Sequence, residues 1–272
     1  MAAEDPQSVS ILRAELAAIA GSAKTPTYIY TYPPRVAYRE LTDSTVALAG
    51  WQRLSGQAGI YIHVPFCEWR CRFCNLFSAT AYSSDLVEAY VRTVAGELDI
   101  VASAVDANQI RVSSVYFGGG TPTVLAPSHL DAILQLIGNR FALQSIAEIS
   151  IETTPNALTD AVLSDILGIG FNRISIGVQS LNDRELAEMG RPYEAALAES
   201  AVGRALWRGA ANVNVDLIYG LPYQTEASWM ESLTMTRYTP LPLGSVHRRQ
   251  QGEPSADLSP RGRSVGLYPV LV

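Results

Sequence analysis

The chain has 272 residues, of which 48% are hydrophobic and 17% are charged, so it can bury a sizeable core as one large domain or two small ones. Its formal net charge of −6 argues against a nucleic-acid-binding surface. All three cysteines fall within one short stretch, which argues against a disulfide scaffold and indicates a reducing compartment, so we expect a cytoplasmic protein.

Residues 1–55 are predicted to form an N-terminal extension. Residues 8–20 have the apolar spacing of a short helix, an extended tyrosine-rich segment follows, and a second helix is predicted at 42–54. Charged residues interrupt the first apolar stretch, so we expect no signal peptide. We also expect no membrane span, because no stretch of the chain approaches the ~18 apolar residues that one requires.

A regular alternation of strands and helices begins near Gly59. The predicted strands are 59–64, 113–118, 147–152, 172–178 and 213–219. The predicted helices are 85–104, Ser128 to Gly138, one ending near Gly168, one from Asn182, Glu194 to Arg208, and 226–237. Such alternation implies parallel pairing through right-handed crossovers. The chain lacks a dinucleotide-binding glycine motif after a strand, so a barrel-like α/β sheet is favoured over a Rossmann domain.

The core domain is predicted to span residues 56–239. This span supplies five predicted strands, and a barrel-like sheet of this kind needs a sixth. Residues 240–263 are rich in proline, glycine, serine and arginine, which predicts a low-order insert with His247 in a solvated loop. The apolar residues 264–272 are the predicted sixth strand. Pro269 is compatible with a strand at the edge of a sheet. The C-terminal tail is therefore expected to be irregular apart from this strand.

The cysteines follow the first predicted strand. Residues 60–64 have the alternation of a strand, and Pro65 ends it because proline lacks a backbone donor and fixes φ. Cys67, Cys71 and Cys74 then form a C-x3-C-x2-C motif on the following loop. Three thiolates on one short loop can converge on a single inorganic centre.

The chemistry of this motif leaves more than one kind of centre open. Thiolates select zinc, copper(I) or iron–sulfur clusters. A structural zinc site closes its tetrahedron with a fourth Cys or His, and the chain offers only His63, His129 and His247. A [4Fe–4S] cluster usually takes four cysteines, so three cysteines leave one iron with an open position, as a catalytic metal needs. We therefore favour a [4Fe–4S] cluster, with zinc as the alternative.

Polar residues and glycines follow the other predicted strands at the same end. Gly118 to Pro122 follow the second strand, Glu152 ends the third, Gln179 follows the fourth, and Asp216 lies near the end of the fifth. The active site of an α/β barrel lies at the carboxyl ends of its strands, so we expect these residues to meet the cysteines there. Three alternatives stay open: Gly118 to Pro122 as a tight turn alone, Glu152 capping the next helix, and Asp216 as a buried polar residue of its strand.

The string YIHVPFC at 61–67 and the cysteine spacing resemble the radical S-adenosylmethionine (SAM) superfamily, and within it the oxygen-independent coproporphyrinogen III oxidases and heme chaperones. The resemblance implies a partial (β/α)6 TIM-like barrel whose cysteines hold a [4Fe–4S] cluster, with SAM on the fourth iron. It implies reductive cleavage of SAM to a 5′-deoxyadenosyl radical, which abstracts hydrogen from a small-molecule substrate such as a tetrapyrrole. An electron donor such as flavodoxin or ferredoxin is then required.

The same resemblance implies roles for particular residues. The metal ligands are Cys67, Cys71 and Cys74, and the SAM contacts are Tyr61, Phe73, Gly119, Gly120, Thr121, Glu152, Gln179, Arg191 and Asp216. Packing roles for Tyr61 and Phe73, and a solvated position for Arg191, are the alternatives. His63 is given no role, because it is expected on the face of Tyr61 only if the first strand bulges.

Two features depart from the oxidase pattern. Those oxidases carry a further cysteine after the triplet (C-x2-C-x-C), whereas Asn75, Leu76 and Phe77 follow Cys74 here. The resemblance ends near residue 239, and the C-terminal region of longer members has no counterpart. The alternatives to an oxidase-like enzyme are therefore a heme-chaperone-like protein that binds and transfers heme, or a methyltransferase-like enzyme.

Overall fold

The part of the chain that the structure, a computed structural model, describes comprises residues 55–74, 76–234 and 246–248. These residues all belong to one compact unit, Thr42–Val272. The predicted helices at 8–20 and 42–54 and the predicted strand at 264–272 lie outside the described residues. The domain boundaries proposed from the sequence stay predictions.

Six parallel strands form one sheet in which each strand pairs with the next along the chain. The strands are β1 (Gly56–Val64), β2 (Ile110–Gly119), β3 (Ala142–Thr153), β4 (Arg173–Gln179), β5 (Asn212–Tyr219) and β6 (Val246–Arg248). Sequential parallel pairing with helical crossovers is the arrangement predicted from the βα alternation. The α/β fold with an open, barrel-like sheet is confirmed.

Helices connect the strands. They are α1 (Ser84–Ala104), α2 (Pro127–Arg140), α3 (Asp160–Ile169), α4 (Asp183–Glu188), α5 (Ala195–Trp207) and α6 (Glu226–Thr234), with short 3-10 turns at Ala107–Gln109 and Pro122–Val124. The predicted end of α2 at Gly138 was wrong, because this glycine lies inside a helix that continues to Arg140. None of the helices within the described ranges is both long and apolar enough to cross a membrane.

Capping residues explain where several helices begin and end. The Ser83 hydroxyl accepts a backbone hydrogen bond from the first turn of α1. Asn182 Oδ1 accepts from the backbone N–H groups of Arg184 and Glu185, at 3.1 and 3.2 Å, and so starts α4. Gly170 adopts φ +112° and ends α3 two residues beyond the predicted glycine.

The sixth strand lies in a stretch that was predicted to lack regular structure. Val246, His247 and Arg248 pair in parallel with Leu217, Ile218 and Tyr219 at the end of β5. The predictions of an insert without structure over 240–263 and of His247 in a loop were therefore wrong for these residues. A strand of three residues is too short to show an alternating pattern, and pairing with the edge of β5 decides its conformation.

The core lies between the strands and the helices. The largest fully buried side chains are Phe117, Leu130, Ile133, Ile137, Ile151, Leu158, Leu163, Ile166, Phe171, Ile174, Ile176 and Leu186. Burying each aliphatic side chain stabilises the fold by about 1.5–3 kcal/mol. In β4, six of the seven residues are buried, which is typical of a parallel strand covered on both faces.

The register of the sheet aligns the carboxyl ends of its strands. Val64 at the end of β1 pairs with Gly119 at the end of β2. Gly177 pairs with Asp216, and the β4–β5 register is irregular between Gly177 and Gln179. Gln179 there adopts φ +72°, the left-handed region that non-glycine residues rarely enter. The strand ends therefore form one edge, which starts at the cysteine loop.

Candidate active site

The cysteine loop connects β1 to α1 and is fixed by backbone hydrogen bonds. The Cys67 N–H donates to the carbonyl oxygen of Ala79 at 3.0 Å, and the Ala79 N–H donates to that of Pro65 at 2.7 Å. Further along the loop, the Arg72 N–H donates to the carbonyl oxygen of Met189 at 3.0 Å. The loop is thus held at its base and also against the segment that follows α4.

The three thiols of this loop are partly buried and lie close enough to affect one another electrostatically. Burial raises the pKa of Cys67, and the neighbouring thiols Cys74 and Cys71 raise it further. Burial is also the main cause that raises the pKa of Cys74, with a further contribution from Cys71. Three thiolates at this position therefore need compensating positive charge, which the iron atoms of a cluster supply.

The three thiols are not placed to hold a single metal ion. Within the described ranges, no set of three or more His, Cys, Asp or Glu side chains is close enough to hold one metal ion. The cysteines of a [4Fe–4S] cluster bind different iron atoms, so they need not converge on one ion. The donor set and its electrostatics fit such a cluster.

The glycine turn after β2 lies against the cysteine loop. Gly119 adopts φ +106°, which favours glycine. A Cβ at Gly120 would lie 2.5 Å from the carbonyl oxygen of Phe66 and 2.9 Å from Cys67 Sγ, so only glycine fits there without a shift. The Thr121 hydroxyl donates to Cys67 Sγ at 3.8 Å. The sequence-predicted glycine turn and the first cysteine are thus brought together.

Glu152 at the end of β3 faces the same turn. Its Oε1 accepts a hydrogen bond from the Tyr116 hydroxyl at 2.7 Å, and its Oε2 accepts one from the Gly119 N–H at 3.1 Å. Burial and, secondly, the charge of Asp216 raise the pKa of Glu152 to about 7, while the two hydrogen bonds lower it. Two neighbouring carboxyl groups favour a positively charged ligand over a negatively charged one.

Tyr61 and His63 extend this cluster along β1. His63 Nε2 lies 3.0 Å from the carbonyl oxygen of Phe77, which only accepts, so Nε2 donates and Nδ1 accepts from the Tyr61 hydroxyl at 3.1 Å. The expectation that His63 shares a face with Tyr61 only across a bulge was wrong. Alternate strand residues share a face, and the irregularity of β1 lies before Gly59.

Asp216 lies on β5 opposite Gly177 of β4. Its Oδ2 accepts a hydrogen bond from the Ser175 hydroxyl, and its Oδ1 accepts one from Asn214 Nδ2, both at 3.0 Å. Two donors to this carboxyl group are therefore neighbouring polar side chains of the sheet. Its charge is the second cause that raises the pKa of Glu152, so the two acids are electrostatic neighbours.

Gln179, Arg191 and Phe73 meet on the other side of this edge. A Cβ at Gly177 would lie 2.8 Å from Gln179 Nε2 and 3.6 Å from Arg191 Nη2, so both side chains lie over this glycine. The guanidinium carbon of Arg191 is 5.3 Å from the ring centroid of Phe73. Gln179 Oε1 and Arg191 Nε are buried without a hydrogen-bond partner among the described residues. Such buried polar atoms call for a partner, and the described part of the chain supplies none.

Sequence reasoning missed three residues of this edge. Tyr116 bonds to Glu152, His63 bonds to Tyr61, and the Tyr193 hydroxyl donates to the carbonyl oxygen of Gly177 at 2.9 Å. Strand alternation could have found His63, because it lies two residues from Tyr61 on β1, and Tyr116 lies two residues before Gly118, where the glycine turn begins. No sequence signal marks Tyr193.

Comparison with known proteins agrees with this geometry. The chain matches the radical SAM superfamily over residues 61–236. An oxygen-independent coproporphyrinogen III oxidase of Bradyrhizobium diazoefficiens is 32% identical over 224 residues, which cover 82% of this chain and 49% of that protein. A heme chaperone HemW of Mycobacterium tuberculosis is 32% identical over 194 residues, which cover 70% of this chain and 49% of that protein. The structure of coproporphyrinogen III oxidase (HemN) of Escherichia coli matches with a TM-score of 0.70 and 27% identity, covering 86% of this chain and 51% of that chain.

The superfamily match covers well over half of the chain, and the chain belongs to the radical SAM superfamily, whose members use a [4Fe–4S] cluster and SAM. Within the superfamily it falls in the group of oxygen-independent coproporphyrinogen III oxidases and heme chaperones. The chain spans about half the length of these relatives.

Proposed function

We propose that this protein is a coproporphyrinogen oxidase-like radical SAM enzyme, whose cysteine loop holds a [4Fe–4S] cluster and whose strand ends bind SAM. The observation that carries the proposal is the packing of Cys67 against Gly120 and Thr121, beside the edge where Glu152 lies. When bound, the reduced cluster supplies the electron that cleaves SAM, and this cleavage leads to hydrogen abstraction from the substrate.

Cys67, Cys71 and Cys74 are the proposed ligands of the cluster. The mutual proximity of the thiols supports this role, because ionised neighbours disfavour the ionisation of Cys67 and Cys74 unless a cation is bound. Burial raises the pKa of Cys74, and the charges of Arg191 and Arg70 partly offset this effect. The protein thus supplies partly buried thiols with two arginines nearby, and a bound cluster would favour their ionisation.

Glu152 and Asp216 are proposed to provide the negative charge that SAM requires. SAM carries a sulfonium group and an amino group, and both are attracted by nearby carboxylates. The left-handed backbone of Gly119 and the side-chain-free surface of Gly120 allow a ligand to approach the main chain closely. Thr121 adds a hydroxyl group beside the first cysteine.

Gln179 and Arg191 are proposed to complete the SAM site. Arg191 Nε is a donor and Gln179 Oε1 is an acceptor, and neither has a partner among the residues that the structure describes, so together they match a ligand with both kinds of polar group. Phe73 and Tyr61 are proposed to offer aromatic surfaces at the two sides of the site. In this proposal Arg191, which lies over Phe73, also excludes water from that side of the cysteine loop.

The substrate is proposed to be a small molecule related to a tetrapyrrole. The support is the similarity to proteins named coproporphyrinogen III oxidase, which reaches 82% of this chain for the Bradyrhizobium protein. Reduction of the cluster requires an electron donor, for which flavodoxin or ferredoxin is proposed. A cytoplasmic location accords with reduced, clustered cysteines.

A second candidate function is heme binding and transfer. The C-x2-C-x-C pattern of the oxidases requires a cysteine at position 76, and this chain has Leu76 there, with a side chain that is 44% exposed and cannot ligate metal. Similarity to a protein named heme chaperone HemW also favours this candidate. Measuring heme affinity and heme transfer to an acceptor protein tests it, and absence of heme binding would eliminate it.

Anaerobic reconstitution with iron and sulfide, followed by reduction and addition of SAM, tests the principal proposal. We expect the wild-type protein to form 5′-deoxyadenosine and a Cys71→Ser variant to form none. A matched control is Gly138→Ala, because a Cβ at this position of α2 meets no atom within 4 Å. Failure of the cluster-loaded wild-type protein to form 5′-deoxyadenosine would contradict the proposal.

A further inference from the structure

Glu185 is a buried acid that the candidate active site does not use. It lies on α4 and is only 1% exposed. Its Oε2 accepts hydrogen bonds from the Ser180 hydroxyl at 2.6 Å and from Gln224 Nε2 at 3.2 Å, and its Oε1 accepts one from the Ser228 hydroxyl at 2.5 Å. The three donors that the described part of the chain offers to this carboxyl group are therefore uncharged.

Two of these donors directly follow residues with an unusual backbone. Gln179 has φ +72° and Tyr223 has φ +64°, and they are the two non-glycine residues with positive φ within the described ranges. Ser180 follows the first and Gln224 follows the second, so one carboxyl group holds the chain immediately after both. Strained backbone of this kind persists only where surrounding contacts fix it, and it clusters at functional sites.

The same network ties the loop after β5 to α6. Gln224 Oε1 accepts hydrogen bonds from the backbone N–H groups of Gly220 and Leu221, at 2.6 and 3.3 Å. The Ser232 hydroxyl accepts one from the backbone N–H of Leu181 at 2.9 Å. The loops after β4 and β5 are thus fastened to each other through polar side chains of α4 and α6.

The hydrogen-bond network of Glu185 connects to the candidate active site through Gln179 and Arg191. Gln179 precedes the clamped Ser180, and the Arg191 N–H donates to the carbonyl oxygen of Leu186, the residue after Glu185. Both side chains hold a buried polar atom that lacks a partner among the described residues. Burying a carboxyl group is costly, and the position of Glu185 in the first turn of α4 offsets only part of that cost, so we expect the acid to serve the network that it joins.

We propose that Glu185 is a positioning residue that fixes the left-handed conformation of Gln179, and with it the segment to Arg191, in the geometry that binds SAM. The inference rests on the proposed function, because it assigns Gln179 and Arg191 to the SAM site. Glu185 itself contacts neither SAM nor the cluster in this proposal. It acts through Ser180 on one side and through Gln224 on the other.

Titration of SAM into the reconstituted, reduced protein tests the proposal, with the change that SAM causes in the electron paramagnetic resonance (EPR) spectrum of the cluster as the readout. Glu185→Gln keeps the size of the side chain but replaces one acceptor by a donor. We expect it to retain iron and sulfide and to bind SAM at least about tenfold more weakly, as is typical when an outer-shell partner is lost. Ser180→Ala removes the hydrogen bond to Glu185 and also the one that Ser180 Oγ accepts from the Asn182 N–H at 3.0 Å, and it covers the case in which Glu185→Gln does not fold.

Glu185→Gln and Ser180→Ala should both act on the hydrogen bond between Ser180 and Glu185. We therefore expect Ser180→Ala to weaken SAM binding as well, and the double variant to be less impaired than the product of the two single effects. Ile137→Ala in α2 is the control, since it removes a fully buried side chain and lowers the melting temperature without touching this network.

The outcomes separate the two proposals. If Glu185→Gln and Ser180→Ala bind SAM within twofold of wild type, or no more weakly than Ile137→Ala, the role of Glu185 is overturned while the proposed function stands. If the wild-type protein takes up a cluster whose spectrum SAM leaves unchanged, the proposed function itself has failed.

Discussion

The Tyr116 hydroxyl donates a 2.7 Å hydrogen bond to Glu152 Oε1, and this bond joins the ends of β2 and β3 inside the candidate site. Tyr116 also stacks on Tyr61 with ring centroids 6.0 Å apart, which connects β1 to the same group. The acid is therefore oriented from one side by a phenol and from the other by the Gly119 N–H. Because these contacts fix its position and its charge state, the pKa of Glu152 is the property of the site that substitutions can test best.

Tyr116→Phe should weaken SAM binding by roughly three- to tenfold, because it removes a hydrogen bond that favours the ionised acid. The pKa of Glu152 should rise at the same time, so the loss should be larger at pH 6.5 than at pH 8. Isothermal titration of SAM at both pH values measures this. Equal affinity of wild type and variant at both pH values would refute the assignment.

The stability of the cofactor-free protein should fall as the pH rises from about 5 to about 7. The folded-state pKa of Glu152, about 7, is above its ordinary value of 4.5, mainly because of burial. The folded state therefore binds this proton more tightly than the unfolded state does. The protonated acid contributes roughly 3 kcal/mol to the free energy of unfolding at a pH below its ordinary pKa, and this contribution is lost once the pH exceeds the folded-state pKa.

Denaturant unfolding of wild type, Glu152→Gln and the exposed control Glu199→Gln between pH 5 and pH 8 checks this expectation. Glu152→Gln should be less sensitive to pH than wild type, whereas Glu199→Gln should follow wild type. Parallel curves for all three proteins would show that the pKa of Glu152 is not raised.

Gly120→Ala should abolish or strongly reduce cluster uptake. The new Cβ would lie 2.5 Å from the carbonyl oxygen of Phe66 and 2.9 Å from Cys67 Sγ, so the cysteine loop must shift. Iron and sulfide analysis after reconstitution measures the effect. Gly138→Ala is the matched control and should bind a full cluster while gaining up to about 1 kcal/mol of stability, since alanine favours the helix. Full iron content in Gly120→Ala would contradict the packing argument.

Arg191→Lys should retain the cluster and bind SAM about tenfold more weakly, because lysine lacks the planar guanidinium group that lies over Phe73. Arg208→Lys is a suitable control, since this guanidinium lies 5.5 Å from the ring of the exposed Trp207. Iron content and SAM affinity are measured for both variants. If Arg191→Lys lost the cluster, the role of the arginine would instead be to hold the cysteine loop in place by packing on Phe73.

The sequence predicted the strand ends well, because buried parallel strands are long apolar runs that stop at glycine, proline or a polar residue. Cys67, Gly120, Glu152 and Asp216 could be assigned to one edge for this reason. The short strand β6 could not be found, since pairing with its neighbour, rather than its own residues, decides it. The Glu185 network was also missed, because its partner Ser228 is 43 residues distant and no local pattern encodes such a contact.

The most direct test of the whole account is the EPR spectrum of the anaerobically reconstituted and reduced protein, recorded with and without SAM. We predict the signal of a reduced [4Fe–4S] cluster that changes when SAM is added, because three cysteine ligands leave one iron to bind it. A cluster signal that SAM leaves unaltered, or a protein that takes up no iron and sulfide, would contradict the account.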